Sequence, residues 1–283
     1  MTALFAELRR RGVDVVVRSE PGVDAVFVNS WSLSDLDLDE AVKLRRKGAR
    51  VMHRLNGIAR LYGRDPADDD RAIMINRKIA DVSVFQSEWS RARFLELRLA
   101  PSASVTIPNG VDPRFFHSRG RTFWNGRDRF RLVISNWSVN VRKGFPYYRQ
   151  FDELLEEEPN VSIDLIGNAP DSMHFRNIRI HAPVASADLG ELLRTYHGLL
   201  QFAEHDTCSN AVLEGISCGL PVLYLDSGGT KEIAGACGVA YTGDFLESVD
   251  LLQDQYDSLV AGIRDHPFTI EKAADAYLGA LGR

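Results

Sequence analysis

Short apolar runs alternate with longer amphipathic stretches along nearly the whole chain, and this rhythm restricts the fold more than any single residue does. The runs "VDVVV" (13–17), "DAVFV" (24–28), "ARVMH" (49–53), "VSVFQ" (82–86) and "SVTIP" (104–108) read as strands. Helical patterning fills 36–47, 68–80 and 88–98 between them. A second series follows: "RLVIS" (131–135), "SIDLIG" (162–167), "IRIHA" (178–182), "GLLQFA" (198–203), "PVLYL" (221–225) and "GVAY" (238–241). Its predicted helices are 145–157, 187–196, 210–218, 229–235, 246–264 and 269–281. Strands that are apolar on both faces and separated by helices belong to parallel sheets covered on both sides. The segment "NGVDPRFFHSRGRTFWNGRDR", rich in Gly, Asn, Arg and aromatics, separates the two series and reads as a linker. The expected α/β architecture is two doubly wound, Rossmann-like domains with a cleft between them. Ligand-facing loops then lie at the carboxyl ends of the strands.

Composition narrows the functional classes. The chain of 283 residues is 45% hydrophobic and 26% charged, enough to build ordinary cores. No apolar run reaches the roughly 18 residues of a membrane span. At the N-terminus, "MTALFAELRRRG" puts its basic cluster after the apolar residues, the reverse of a secretory signal, so a cytoplasmic protein is expected. Cys208, Cys218 and Cys237 form no CxxC and have no histidine at zinc spacing, which makes them reduced packing residues. The net charge of −5 is uneven, with a slightly positive first 115 residues. That excess is too weak for nucleic acid; it fits a solvated face, or at most an anionic acceptor or peripheral membrane contact. Nothing in the sequence fixes the oligomeric state.

The segment "HDTCSNAVLEGISCGLPVLYLDSGGTKEI" (205–233) carries the chemistry. Ser209 or Asn210 suits an N-cap, and "NAVLEGISCG" makes a helix of about two turns closed by Gly219 and Pro221. A helix start presents free N–H groups and the positive end of the dipole, which suits phosphate. Helical side chains lean toward the N-terminus, so Glu214 reaches toward the opening that Asp206 flanks. Carboxylates repel phosphate but accept hydrogen bonds from neutral hydroxyls. Phosphate on the backbone and hydroxyls on the acids together describe a nucleotide-sugar. A capped helix packed on a strand, with no ligand, accounts for the same residues.

The same segment resembles the signature of retaining GT-B glycosyltransferases of family 4: an acid, seven residues, a glutamate, a small-residue helix, Cys-Gly-Leu-Pro-Val and a Gly-Gly-x-x-Glu turn. "VFQSEWSRARF" looks like that family's late strand-to-helix segment in the first domain. "IPNGVDPRFF" is similar to its domain-crossing segment, "VRKGF" to its Lys-Gly helix start, and "FTIEKAADAYLGAL" to its closing helix. The resemblance implies a GT-B fold. Residues 1–115 would form an acceptor-side domain and 116–268 a nucleotide-sugar domain. Residues 269–283 would form a closing helix that packs back toward the first domain. It also implies that the first domain lacks its usual first strand and Gly-rich loop, since the chain opens directly on a helix.

Roles follow from the resemblance residue by residue. Glu214 matches the glutamate that holds the ribose. Asp206 matches the acid facing the transferred sugar, although the family usually has Glu there. Cys208, Ser209, Asn210 and Ala211 replace Gly-Phe-Gly-like residues whose backbone touches sugar and phosphate. Lys143 matches the diphosphate-binding lysine. The arginine usual five residues earlier is Ser138 here, and Arg142 is the candidate substitute, or else a surface arginine. His53 looks like the histidine that faces the donor sugar from the first domain, or else it is satisfied at its strand end. Arg54 and Asn56 share its loop and are placed near acceptor or phosphates. Pro183-Val184 sits where the base is gripped through backbone, Gly228-Gly229 makes a tight turn, and Glu232 caps a helix. The implied reaction moves a sugar from a nucleotide-diphosphate donor to a hydroxyl acceptor with retention, without a metal or other cofactor. The alternative is a glycosyltransferase-like module that binds a nucleotide-sugar or a partner without turnover.

Overall fold

Every strand pairing is parallel, and the strands fall into two sheets. The computed structural model describes residues 2–16, 20–263 and 268–282. The chain divides into two units, Met1–Gly110 with Phe268–Arg283, and Val111–Pro267.

Unit 1 runs α1 (Thr2–Arg10), β1 (Ala25–Asn29), α2 (Asp35–Arg46), β2 (Arg50–Arg54), α3 (Ala67–Ile79), β3 (Val82–Phe85), α4 (Glu88–Glu96) and β4 (Ser104–Thr106), with sheet order β1-β2-β3-β4. The helices begin where the sequence supplies caps. Ser34 accepts from Asp37 N at the start of α2, and Ser87 and Ser90 form a reciprocal capping box on α4. Acids in the first turn of α2 and Lys43, Arg45 and Arg46 in its last turn complement its dipole. Residues 13–16, expected as a strand, form none, and Val17 lies outside the described residues. Their backbone is engaged elsewhere: Val13 N–H donates to Leu8 O, and the Val15 carbonyl accepts from Arg9 Nη2 at 2.8 Å.

A polar seam crosses the unit 1 core. His53, on β2, is 0% exposed. Its Nε2 lies 2.8 Å from the Ser30 carbonyl, which can only accept, so Nε2 carries the proton. Nδ1 then accepts from Asn76 Nδ2 at 3.1 Å, and the same amide nitrogen donates to Ser83 Oγ at 2.8 Å. Burial pushes the His53 pKa down to about 4, because the enclosed ring resists a charge.

Unit 2 runs β5 (Phe130–Asn136), α5 (Phe145–Leu154), β6 (Val161–Gly167), β7 (Arg179–His181), α6 (Ser186–Leu193), β8 (Gly198–Gln201), α7 (Asn210–Ser217), β9 (Val222–Tyr224), α8 (Thr230–Ala234), β10 (Gly238–Ala240), α9 (Phe245–Asp254) and α10 (Tyr256–Gly262). Its sheet order is β10-β9-β8-β5-β6-β7, with β5 and β8 central. Fully buried aromatics fill one face, among them Phe151, stacked on Phe245 with ring centroids 4.1 Å apart. The expected single helix over 246–264 breaks at Gln255. Tyr256 turns inward there, and its hydroxyl accepts from Trp124 N and from Arg121. Arg121 and Phe116 are buried, so the segment read as a linker is packed into unit 2. Asp152, on α5, accepts from the backbone N–H groups of Arg176, Asn177 and Ile178 at 2.8, 2.7 and 2.7 Å, which ties α5 to the approach to β7. Helix α11 (Ile270–Leu281) completes unit 1: it packs on α1, and Arg11 reaches both Asp275 and the Glu271 carbonyl.

Two tests follow. Asp152→Ala removes the acceptor of three N–H donors, of which that of Ile178 is buried, and should lower the unfolding free energy measured in urea by about 1–3 kcal/mol. His53 is neutral in the folded chain and charged more readily when unfolded. Its contribution is therefore present above pH ~6.5 and lost as pH falls toward about 4. His53→Gln should remove a share on the order of 2–3 kcal/mol from the fall in stability between those pH values. An unchanged pH dependence would contradict the buried neutral ring.

Candidate functional site

The carboxyl ends of β5 and β8 converge on the N-terminal tip of α7. Beyond β8, residues 202–209 cross to the helix, and Ser209 caps it by accepting from Val212 N at 3.4 Å. Gln201 Nε2 donates to the same Ser209 Oγ at 2.7 Å, which fixes the strand end to the cap. Asp206 lies in this crossing and is buried; its Oδ1 accepts from Cys208 N at 3.3 Å. His205, just before it, holds a left-handed φ of 57°, a costly conformation for a side chain with a Cβ. Gly228, in the turn before α8, has φ 71°, and a Cβ there would stand 2.2 Å from the Asp206 carbonyl. The next residue's N–H donates to that carbonyl at 2.7 Å, so the Gly-Gly turn clamps the acid's backbone.

The loop after β5 brings the cations. Asn140 Oδ1 accepts from Arg142 N at 2.9 Å and starts a single 3-10 turn over Val141–Lys143. Gly144 follows at φ 97°, where a Cβ would meet Phe202 at 2.8 Å, so this loop lies directly on the start of the acid-bearing one. Three bonds stitch the two loops together. Lys143 Nζ lies 2.7 Å from Asp206 Oδ2, Arg142 Nη1 lies 3.0 Å from Glu204 Oε2, and Glu204 N donates to the Arg142 carbonyl at 2.8 Å. Arg142, Lys143 and Asp206, singled out in the sequence, thus come together in unit 2, with the two cations paired to acids.

Glu214 lies further along α7, half-buried. Its carboxylate has no hydrogen-bond partner among the described residues, and desolvation pushes its pKa up to about 7. Its pKa therefore sits where the carboxylate can gain or lose its proton near neutrality. Cys208 and Ser209 are buried, Ala211 is half-buried and Asn210 is exposed on the first turn. Ser138 is part of the β5 loop scaffold: its carbonyl accepts from Asn136 Nδ2 at 2.5 Å and its Oγ from Asn140 N at 3.2 Å.

Other predicted residues lie elsewhere. Val184 is half-buried in the loop after β7, an edge strand separated from β8 by β5 and β6, and Pro183 is exposed. His53 belongs to unit 1, where its ring is wholly enclosed and both nitrogens bond to protein. The expectation that it faces a sugar meets no exposed surface on this residue. Burial lifts the pKa of Cys218 to about 12 and raises that of Cys237, which marks both as packing thiols. Asp35, Asp37 and Asp39, spaced Asp-x-Asp, lie on α2 with exposed side chains. Among the described residues no three His, Cys, Asp or Glu side chains gather as a metal site, and no helix is long and apolar enough to cross a membrane.

Sequence reasoning missed Glu204, Gln201 and Asn140. For Gln201 the signal was a polar residue ending the apolar run "GLLQ", since such residues meet the ligand-facing edge of a parallel sheet; Asn140 and Glu204 lie in the loops beyond the strands, where no periodicity marks them.

No protein-family model and no curated protein matches the sequence. Solved structures do match. A sucrose-phosphate synthase from Thermosynechococcus elongatus superposes with a TM-score of 0.72 at 15% identity, over 93% of this chain and 73% of that one. Anabaena HepE in complex with UDP-glucose gives 0.71 at 14% identity, over 92% and 78%. The pneumococcal O-GlcNAc transferase GtfA in complex with UDP and GlcNAc gives 0.63 at 13% identity, over 98% and 59%. With its two parallel-sheet, Rossmann-like units and these neighbours, the chain has the GT-B fold.

Proposed function

We propose that this chain is a retaining glycosyltransferase that moves a sugar from a nucleotide-diphosphate donor to a hydroxyl acceptor. The observation that carries this reading is the α7 tip. There a helix N-terminus and the Lys143–Asp206 pair meet the carboxyl ends of central parallel strands, and the partnerless Glu214 carboxylate belongs to the second turn of the same helix. Structural neighbours that hold UDP-glucose, or UDP with GlcNAc, support it.

In this reading the donor diphosphate lies against the amides of Ser209, Asn210 and Ala211, and Lys143 turns from Asp206 toward a phosphate oxygen. Asp206 is then released to accept from a hydroxyl of the transferred sugar. Glu214 accepts from the ribose hydroxyls, and Val184 lies beside the base. Arg142, paired with Glu204, keeps the Lys143 loop in register with the acid-bearing loop. His53 acts from inside unit 1 by fixing the end of β2.

The bond from the anomeric carbon to the phosphate oxygen breaks, and the acceptor oxygen bonds to the same face of that carbon. The acceptor's proton passes to the departing phosphate oxygen. Charge growing on that phosphate is neutralised by the Lys143 ammonium and the helix tip, so this chemistry requires no metal. The reading gives no part to a carboxylate nucleophile, and the inactive binding module is the less favoured alternative.

A thermal-shift panel of UDP-, GDP-, ADP- and TDP-sugars tests the donor; stabilisation by none of them would refute it. Lys143→Ala should cut kcat for transfer by about 10²–10³-fold while changing stability by at most about 1 kcal/mol. Glu214 serves as an acceptor when ionised, so donor affinity should rise with pH through about 7 and level off above it. Glu214→Gln should flatten that profile. NMR of the product's anomeric configuration decides retention.

A further inference from the structure

One guanidinium, at the end of β2, bonds to polar residues at or just beyond the ends of the other three strands of the unit 1 sheet. Arg54 ends β2 and is only 7% exposed. Its Nη1 donates to Asn29 Oδ1, at the end of β1, at 2.9 Å, and to Asn56 Oδ1. Its Nη2 donates to Gln86 Oε1, just past β3, and to Asn109 Oδ1, past β4, at 2.8 Å. Every acceptor is a neutral amide. Among the described residues no carboxylate comes within ion-pair distance of Arg54, whereas the more exposed Arg11, Arg60 and Arg142 each have one; Arg121, equally buried in unit 2, also has none and is bonded to the Tyr256 hydroxyl.

Burying a full charge among dipoles alone is costly, because amide oxygens offset only part of the lost hydration. An arginine kept only to tie strand ends together would be better served by one aspartate in place of Asn29 or Asn56. The fifth donor, Nε–H, has no protein acceptor among the described residues, and the side chain keeps a small exposed surface. Asn29, Asn56 and Asn109 are half-exposed around it. The cation lies at the carboxyl ends of parallel strands, where ligands of such sheets bind.

We infer that Arg54 is the positive pole of an oxyanion site in unit 1, which takes a phosphate or carboxylate group on Nε–H with the surrounding amides as a polar rim. Four of its five N–H bonds hold the guanidinium rigid, so the remaining donor is fixed in direction before any ligand arrives. If the transfer reading holds, the anionic group belongs to the acceptor; that assignment rests on the transfer reading, whereas the anion site does not.

The test uses the 15N-labelled full chain, titrated separately with inorganic phosphate and with acetate. Arginine Nε–H correlation spectra and thermal unfolding are followed together. One arginine Nε–H signal should move saturably, and Tm should rise by about 2 °C or more near saturation. Lys143→Ala, which removes the unit 2 ammonium, should leave that response intact. Asn56→Asp should abolish it, because the new carboxylate neutralises the guanidinium, and should raise Tm in the absence of anion. A stronger response to phosphate assigns a phosphoryl ligand, and a stronger response to acetate assigns a carboxylate. The inference is overturned by no saturable shift with either anion, or by a response that vanishes in Lys143→Ala and survives Asn56→Asp. A persistent shift in a chain that transfers no sugar would leave this site standing and remove the transfer reading; transfer without the shift would do the opposite.

Discussion

The stitching of two loops in unit 2 underlies the rest of the candidate site. Lys143 and Asp206 come from segments more than sixty residues apart, yet their side chains meet at 2.7 Å. Side-chain attraction alone would not hold such a pair, since partly exposed ion pairs contribute little. The backbone holds it: Glu204 N donates to the Arg142 carbonyl, Gly144 permits close approach to Phe202, and the Gly228-Gly229 turn grips Asp206 from the other side. The charges are placed by main-chain geometry, and the ion pair reports that placement more than it causes it.

The resulting electrostatics is economical. Lys143 and Arg142 are each balanced by an acid in the resting chain, so the site carries little excess charge before a ligand enters. Glu214 is the exception, a carboxylate with no partner whose proton affinity is raised by desolvation alone. Unit 1 presents the opposite case, a buried cation held by amides. Departures from the pairing rule for buried charge mark candidate ligand positions, and these two stand at the carboxyl-end side of their sheets, unlike Arg121, which is packed against Tyr256.

Much of this was legible in the sequence. Alternating apolar runs gave ten of the strands to within a few residues, because strands buried on both faces need no periodicity to be recognised. The Ser209 cap and the Lys-Gly and Gly-Gly steps located the loops of unit 2. The strand expected at 13–17 was misread because apolar content alone does not reveal that Arg9 takes the Val15 carbonyl. The break at Gln255 was invisible because it answers a tertiary demand, the insertion of the Tyr256 hydroxyl beneath Trp124. His53 illustrates a different limit: a strand-end position raises the prior for a ligand contact, but only the positions of Ser30 and Asn76 show that its ring faces inward. Arg54, its neighbour in sequence, has the open donor.

The return of α11 to unit 1 bears on how the chain is made. Arg11 reaches Asp275, and Phe27 lies edge-on to Tyr277, so segments on either side of unit 2 in the sequence share one core. During synthesis the whole of unit 2 leaves the ribosome before α11 does. Unit 2 can therefore mature while unit 1 still lacks the helix that seals its apolar face, and of the two units the one begun earlier is closed later.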